Sequence, residues 1–208
     1  MMYLLFIIIG FLSGSIMYSY IIPRKILNID ICLNSIDNNP GAFNSFANCG
    51  IAIGLICLVL DILKGMIPVF FATKFLDYNN VLFSLVIASP VLGHSLGVFN
   101  KFKGGKCIAT SFGVLLGLIN ITYIVLLLAV LYIVFVALFR KKSNFLKSIF
   151  AYSFFAIIST IILFISNLHI IGLGCLAISG IVIFKHYYAN IANKEKESFG
   201  DEEAIENI

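Results

Sequence analysis

Long apolar runs separated by short polar segments make up most of this 208-residue chain. A helix needs roughly 17 to 25 mostly apolar residues to cross a membrane, whereas a barrel strand needs about ten alternating ones. The pattern therefore predicts an all-α, polytopic integral membrane bundle of about seven transmembrane helices. The predicted spans cover residues 2–22, 48–74, 80–98, 107–121, 122–139, 148–166 and 170–186.

The stretch 107–139 admits two interpretations, because it is too long for one ordinary helix and short for two. Gly113, Gly117 and the polar pair at Asn120 and Thr122 favour a break. We therefore predict two short spans, with one long tilted helix as the alternative.

The basic residues favour seven spans with the N-terminus outside. In that arrangement the cytoplasmic segments hold 12 of the 14 basic residues, whereas merging the fourth and fifth spans would move the Arg140–Lys147 cluster outside. The first run is followed, not preceded, by positive charge, which indicates a retained span rather than a cleaved signal peptide. The cytoplasmic set is Arg24, Lys25, Lys101, Lys103, Lys106, Arg140, Lys141, Lys142, Lys147, Lys185, Lys194 and Lys196.

Composition excludes a soluble protein, since only 12% of residues are charged and 61% are hydrophobic, against about 25% charged in a soluble domain. The five cysteines stand singly, without a Cys-x-x-Cys pair or histidines at zinc-ligand spacing, so we predict neither disulfides nor metal. We expect one transmembrane domain over residues 1–193. Residues 194–208, with six acids against two lysines, are expected to form an acidic cytoplasmic tail.

The segment 93–110 gathers three lysines and two adjacent glycines in an otherwise apolar chain. Consecutive glycines let backbone N–H groups approach a ligand, and ammonium groups and a helix start favour an anion. A nucleotide P-loop is disfavoured because Cys107 stands where Ser or Thr would follow the lysine. The segment predicts a site for a phosphate-bearing ligand at the membrane edge, with an ordinary basic loop as the alternative.

Two charges lie inside the second predicted span. Asp61, Lys64, Gly65 and Pro68 share one helical face by their spacing. Each charge costs about 2.5 to 3.5 kcal/mol at the centre of an isolated span, so both should face protein or water. Either the two charges neutralise each other and pin a neighbouring helix, or this helix supports a polar site.

Four stretches of the sequence together resemble the bacterial acyl-phosphate:glycerol-3-phosphate acyltransferases. The central signature of that family is similar to FKGGK at 102–106, preceded by Gly-His and followed by Ala-Thr. Its second-helix signature is similar to DILKG with a following proline, and its first motif ends like NPGAFN at 39–44. Its third motif is similar to Lys185, His186, Asn190 and Ile191, with one extra residue between His and Asn.

The first motif departs from the family pattern. Where the family has Gly-Ser-Gly before Asn39, this chain has Ile36, Asp37 and Asn38, and Ser35 is a candidate displaced serine. Further on, the family threonine and arginine are replaced by Phe43 and Ala47, the proline after Gly-His by Gly97, and the glycine after Lys106 by Cys107.

The resemblance implies transfer of a fatty acyl group from acyl phosphate to the 1-hydroxyl of glycerol 3-phosphate, in phospholipid biosynthesis at a bacterial plasma membrane. The products would be lysophosphatidic acid and phosphate. It implies no metal and no organic cofactor, membrane lipids as surroundings, and no nucleic-acid partner. The implied catalytic residues are His94, His186 and Asn190, the implied supporting residues are Asp61 and Lys64, and the implied substrate-binding residues are Asn39, Gly41, Asn44, Lys103, Gly104, Gly105, Lys106 and Thr110.

Other interpretations remain open at this point. His94 and His186 can also be polar helix ends at the membrane interface. A catalytically impaired homologue acting as a transporter or lipid-binding protein is the alternative function, for which the altered first motif argues. Transporters show broken helices or paired halves around a midplane site, whereas the strongest polar cluster here lies at a membrane edge. No histidine is followed five residues later by an acid, which disfavours acyl-CoA or acyl carrier protein as donor.

Overall fold

The computed structural model describes the backbone of residues 1–35 and 37–206 and the side chains of residues 1–35 and 37–194. That backbone is helical and contains no strand. Its helices are α1 (Met2–Ser15), α2 (Tyr18–Ile26), α3 (Ala42–Phe75), α4 (Leu82–Leu96), α5 (Ile108–Gly117), α6 (Ile124–Leu138), α7 (Asn144–Ile165) and α8 (His169–Glu206).

The protein is an all-helical membrane protein, which confirms the predicted fold class. Among the described residues, four segments are long and apolar enough to cross a membrane, and α1 with α2 adds a fifth if the bent pair counts as one span. The four are Ala42–Phe75, Leu82–Asn100, Asn144–Ile165 and His169–Lys194. Most of the predicted acidic tail, residues 195–208, lies outside the described side chains.

The predicted break within 107–139 is confirmed, because α5 ends at Gly117 and α6 begins only at Ile124. The 10 residues of α5 and the 15 of α6 correspond to about 15 and 22 Å. Both helices are shorter than a hydrocarbon core of about 30 Å. Seven crossing helices therefore stay a prediction.

The first span is interrupted between α1 and α2, which are bent by about 40°. At the break, Lys64 Nζ of α3 donates to the carbonyl oxygen of Ile16 at 2.5 Å. Ser19, in the first turn of α2, donates to the carboxylate of Asp61. Since a carbonyl freed inside a membrane must find a partner in the protein, the charged face of α3 holds the break in place.

Asp61 and Lys64 form a buried ion pair. Asp61 Oδ1 lies 2.7 Å from Lys64 Nζ, and both side chains are 1% exposed. Beyond this contact, that oxygen accepts no hydrogen bond among the described residues. This geometry is what mutual neutralisation of the two charges and pinning of a neighbouring helix would give. Asp61 also lines a cavity, so both interpretations of this helix stay open.

Glycines bring helix backbones into direct contact at two helix pairs, α1 with α4 and α3 with α5. Gly10 and Gly14 have the small-x-x-x-small spacing that allows close crossing. A Cβ on Gly14 would overlap the carbonyl of Pro90, and one on Gly93 would overlap that of Phe11, so α1 and α4 touch backbone to backbone. In the same way, Gly113 of α5 leaves no room for a side chain against α3.

Helix α3 begins at Ala42, six residues before the predicted span, and is kinked at Gly50. Gly50 has φ 79° and ψ 177°, a conformation in which a side chain would be strained. The kink turns residues 42–49 back, so that Phe46 packs on Gly54. This turn places Asn44 beside the loop that precedes the helix.

The polar segments of the chain meet at one end of the bundle. Asp37, Lys106, Asn144 and His186 line the same cavities, whereas Tyr3 at the start of α1 donates to the carbonyl of Asp77 at the other end. The chain between residues 107 and 143 therefore leaves the first end and returns to it. A pair of helices does this, and one tilted helix does not.

We expect Asp61→Ala to destabilise the protein more than the double change Asp61→Leu with Lys64→Met. Removing one member of a buried ion pair strands the other charge and costs about 3 to 5 kcal/mol, whereas replacing both removes the stranded charge. Unfolding of both variants in detergent micelles measures the difference. Equal stability of the two would contradict mutual neutralisation.

Candidate active site

Two cavities meet at the polar end of the bundle. The first, called here the polar cavity, has a volume of about 560 Å³, and the second, the apolar cavity, about 470 Å³. Polar side chains lining the first include Ser35, Asn44, Asn48, Asn190 and Asn193. Apolar side chains lining the second include Phe46, Leu58, Ile62, Phe112 and Val136.

The two cavities share one wall. Five residues line both of them: Asp37, Phe43, Lys106, Asn144 and His186. These residues come from five separate segments, namely the loop before α3, the first turn of α3, the loop before α5, and the helices α7 and α8. The shared wall is therefore the place where a water-soluble reactant and an apolar one can meet.

An ion pair lies at the centre of this wall. Lys106 Nζ is 2.6 Å from Asp37 Oδ2, with 22% and 26% of the two side chains exposed. Burial alone raises the pKa of Asp37, but hydrogen bonds from Lys106 and Asn44 outweigh burial and hold that pKa below its usual value. The carboxylate is therefore charged at neutral pH.

The amide of Asn44 organises the loop before α3. Its Nδ2 lies 2.9 Å from Ser35 Oγ, 2.8 Å from Asp37 Oδ1 and 2.8 Å from the carbonyl oxygen of Asn39. Asn44 is 5% exposed and belongs to the first turn of α3. Since Ser35 lies in the same cluster, a serine is present beside the shared wall although the family position holds Asp37.

The twin glycines hold the loop against the end of α4. The N–H of Gly105 donates to the carbonyl of His94 at 3.1 Å, so it is not free for an anion as the sequence suggested. A Cβ on Gly104 would overlap the carbonyl of Ser95, and one on Gly105 the imidazole of His94. These glycines position Lys106, because only their lack of a side chain allows so close an approach.

The residues predicted from the sequence divide into those that line the two cavities and those that do not. Lys103 is exposed, Thr110 is buried with its Oγ1 3.1 Å from His94 Nδ1, and Lys64 lies at the α1–α2 break. None of these three, and neither of the twin glycines, lines the two cavities. The predicted residues that do line them are Asn39, Gly41, Asn44, Asp61, His94, Lys106, His186 and Asn190.

The two histidines differ in their ring contacts. Both are 3% exposed. His94 contacts Thr110, whereas Nδ1 of His186 lies 2.9 Å from the carbonyl oxygen of Val182. A carbonyl only accepts, so Nδ1 of His186 carries the hydrogen and Nε2 of the neutral ring is an acceptor. His186 can therefore accept a proton at the shared wall.

Three polar residues of the shared wall and its edge carry no site signal of their own in the sequence. Asp37 is only a departure from the family motif, and Asn144 and Lys147 follow a cluster of basic residues. Lys147 Nζ donates to Asn144 Oδ1 at 3.1 Å and lines the apolar cavity. The signal that could have found Lys147 is its place in the first turn of a helix that follows a basic cluster.

The family model for glycerol-3-phosphate acyltransferase matches residues 4–194. The chain belongs to this family. Its sequence is 44% identical to the glycerol-3-phosphate acyltransferase of Thermotoga petrophila over 111 residues, which are 53% of this chain and 56% of the relative. The chain thus aligns with little more than half the length of that relative.

Two further relatives align over most of the chain. Glycerol-3-phosphate acyltransferase 2 of Bacillus cereus is 35% identical over 189 residues, 88% of this chain and 87% of the relative. The crystal structure of PlsY, an integral membrane glycerol 3-phosphate acyltransferase in its glycerol 3-phosphate form, superposes with a TM-score of 0.76 at 26% identity. That superposition covers 95% of this chain and 94% of PlsY.

Cys107 stands where the motif of the family has a glycine, and its backbone conformation explains why a glycine is suited to this position. Cys107 precedes α5 with φ 68° and is 1% exposed. We expect Cys107→Gly to be about 1 kcal/mol more stable than Cys107→Ala, because both lose the buried thiol but only glycine relieves the left-handed backbone. Unfolding in micelles measures this.

Ala129, in the middle of α6, is the control for this exchange. There we expect the opposite order, with Ala129→Gly about 1 kcal/mol less stable than the parent. A Cys107→Ala variant at least as stable as Cys107→Gly would contradict strain at this position.

Proposed function

We propose that this protein transfers a fatty acyl group from an acyl phosphate to the 1-hydroxyl of glycerol 3-phosphate, giving lysophosphatidic acid and inorganic phosphate. The observation that carries the proposal is the shared wall, where Lys106 and His186 line both a polar and an apolar cavity. Family membership and the likeness to PlsY, solved in a glycerol 3-phosphate form, support the acceptor.

Each cavity suits one reactant. The amide and hydroxyl groups of the polar cavity suit glycerol 3-phosphate, a small and strongly hydrated molecule. The aromatic and aliphatic walls of the apolar cavity suit a fatty acyl chain. With the acceptor in one and the donor in the other, the hydroxyl and the acyl carbonyl meet at the shared wall, and such positioning alone lowers the barrier substantially.

The chemical step needs little nucleophilic machinery, since an acyl phosphate is a mixed anhydride with a good leaving group. The hydroxyl oxygen attacks the acyl carbon, and a new ester bond forms as the bond from that carbon to the phosphate oxygen breaks. His186 Nε2 accepts the hydroxyl proton, and the Lys106 ammonium stabilises the charge that develops on the departing phosphate.

Other residues of the site hold the reactants. Asn190 follows His186 by one helical turn and lines the polar cavity, where its amide can bind the acceptor. Lys147 and Asn144, at the edge of the apolar cavity, supply a second place for a phosphate group. His94 packs beneath Gly105 and so supports the loop that carries Lys106.

The same proposal includes the membrane arrangement. Seven crossing segments in a bacterial plasma membrane, with the N-terminus outside and the C-terminus cytoplasmic, would put the basic segments and the active site on the cytoplasmic side, where glycerol 3-phosphate is found. Residues 1–193 then form one transmembrane acyltransferase domain, followed by the tail at 194–208. No contact among the described residues favours the transporter or lipid-binding alternative.

We expect purified protein to release phosphate from acyl phosphate only when glycerol 3-phosphate is present, and Lys106→Ala to lower that rate by about 100-fold or more, since a charge that stabilises the transition state is lost. Lys101→Ala is the matched control, because it removes the same charge from an exposed position in the same loop. Coupled phosphate detection in mixed micelles measures both rates. Well-folded protein without acceptor-dependent release would contradict the proposal.

A further inference from the structure

An anion that approaches Lys106 must compete with Asp37, because the two side chains form an ion pair at the shared wall. Asp37 and Lys106 both line the polar cavity and the apolar cavity. A phosphate arriving from either side therefore meets the carboxylate of Asp37 together with the ammonium of Lys106. Both side chains are about a quarter exposed, so a ligand can reach them.

Asp37 is held in place without help from Lys106. Its Oδ1 accepts from Asn44 Nδ2 at 2.8 Å and from the backbone N–H of Asn39 at 3.3 Å, while Oδ2 contacts the ammonium. The carboxylate is therefore a fixed negative charge of the loop. A ligand that draws Lys106 away does not remove this charge from the site.

The other charged groups that line these cavities contact partners other than this carboxylate. Asp61, the other carboxylate that lines these cavities among the described residues, is paired with Lys64. Lys147, the second cation along the walls, contacts the neutral amide of Asn144. An incoming phosphate is thus attracted by Lys106 and Lys147 and repelled by Asp37.

We infer that Asp37 sets the affinity of the site: its carboxylate is an internal competitor for Lys106 and weakens the binding of every phosphate-bearing ligand there. The inference rests on the proposed function for the identity of those ligands. Because inorganic phosphate and lysophosphatidic acid are both phosphate-bearing products, the competitor speeds their release while it raises the KM for glycerol 3-phosphate. Asp37 on this view sets the affinity of the site and takes no part in the reaction itself.

The test is the binding of inorganic phosphate and of glycerol 3-phosphate to the full chain in micelles, by calorimetry. Asp37→Asn removes the charge but keeps an oxygen for Asn44 and Asn39, and we expect it to tighten both Kd values about tenfold. Asp30→Asn is the matched control, because Asp30 lies in the same loop, accepts the N–H of Cys32 and lines neither cavity. We expect no change for that control.

A double-mutant cycle makes the test specific. In a Lys106→Met background, Asp37→Asn should have a smaller effect, because the competition for the ammonium has gone and only the direct repulsion between carboxylate and phosphate is relieved. If Asp37→Asn does not fold, Asp37→Ser, which carries the residue of the family motif, replaces it. Kinetically, we expect a lower KM for glycerol 3-phosphate without a matching loss in kcat.

Two results would overturn the inference: unchanged phosphate affinity in Asp37→Asn, or weaker affinity with the fold intact. A gain in affinity of the same size in the Lys106→Met background would also overturn it, because competition for the ammonium would then contribute nothing. These outcomes are separate from failure of the proposed function, since inorganic phosphate binding needs no acyl transfer. Tighter phosphate binding without any turnover would contradict the acyltransferase proposal alone.

Discussion

A membrane helix can be interrupted only where the protein itself satisfies the backbone groups that the break releases. Here the break between α1 and α2 leaves the carbonyl of Ile16 outside the helical pattern, and Lys64 donates to it. Asp61 neutralises that ammonium and accepts from Ser19 on the other side of the break. Because both partners come from α3, the contacts at the break attach the first span to the helix that begins beside the candidate site.

The rest of the site follows from how loops are attached to this frame. The loop before α3 is folded around the amide of Asn44, and the loop before α5 is pressed against α4 through glycines that leave no room for side chains. Both loops therefore end on rigid helices. Asp37 and Lys106 meet at 2.6 Å because each is held by its own loop, and His186 joins them from α8.

The sequence was sufficient to single out residues that the fold brings together. Lys106, Asn44, His186 and Asn190 all line the cavities. Their charges and amides are what the proposed phosphate and glycerol site requires, and their roles stay predictions. The break in 107–139 was predictable as well, since glycines and polar residues rarely continue an apolar helix.

Other features depend on contacts that a sequence does not show. The twin glycines suggest an anion-binding turn, yet the N–H of Gly105 is used by the end of α4 because the two backbones touch. Lys103 has the same charge as Lys106 but is exposed. Asp37 was missed because a carboxylate at a phosphate site is contrary to simple charge complementarity, and only its distance from Lys106 reveals the relation.

With two cavities, the occupancy of each depends on a different measure of ligand concentration. A ligand of the polar cavity comes from the aqueous phase and follows ordinary molarity. On the proposed function the acyl donor is dissolved in the bilayer, so its supply to the apolar cavity follows its mole fraction among the surrounding lipids. Diluting the membrane with inert lipid would therefore lower the occupancy of the apolar cavity by the donor without changing the occupancy of the polar cavity by the acceptor. The lipid composition of the membrane would then control the rate.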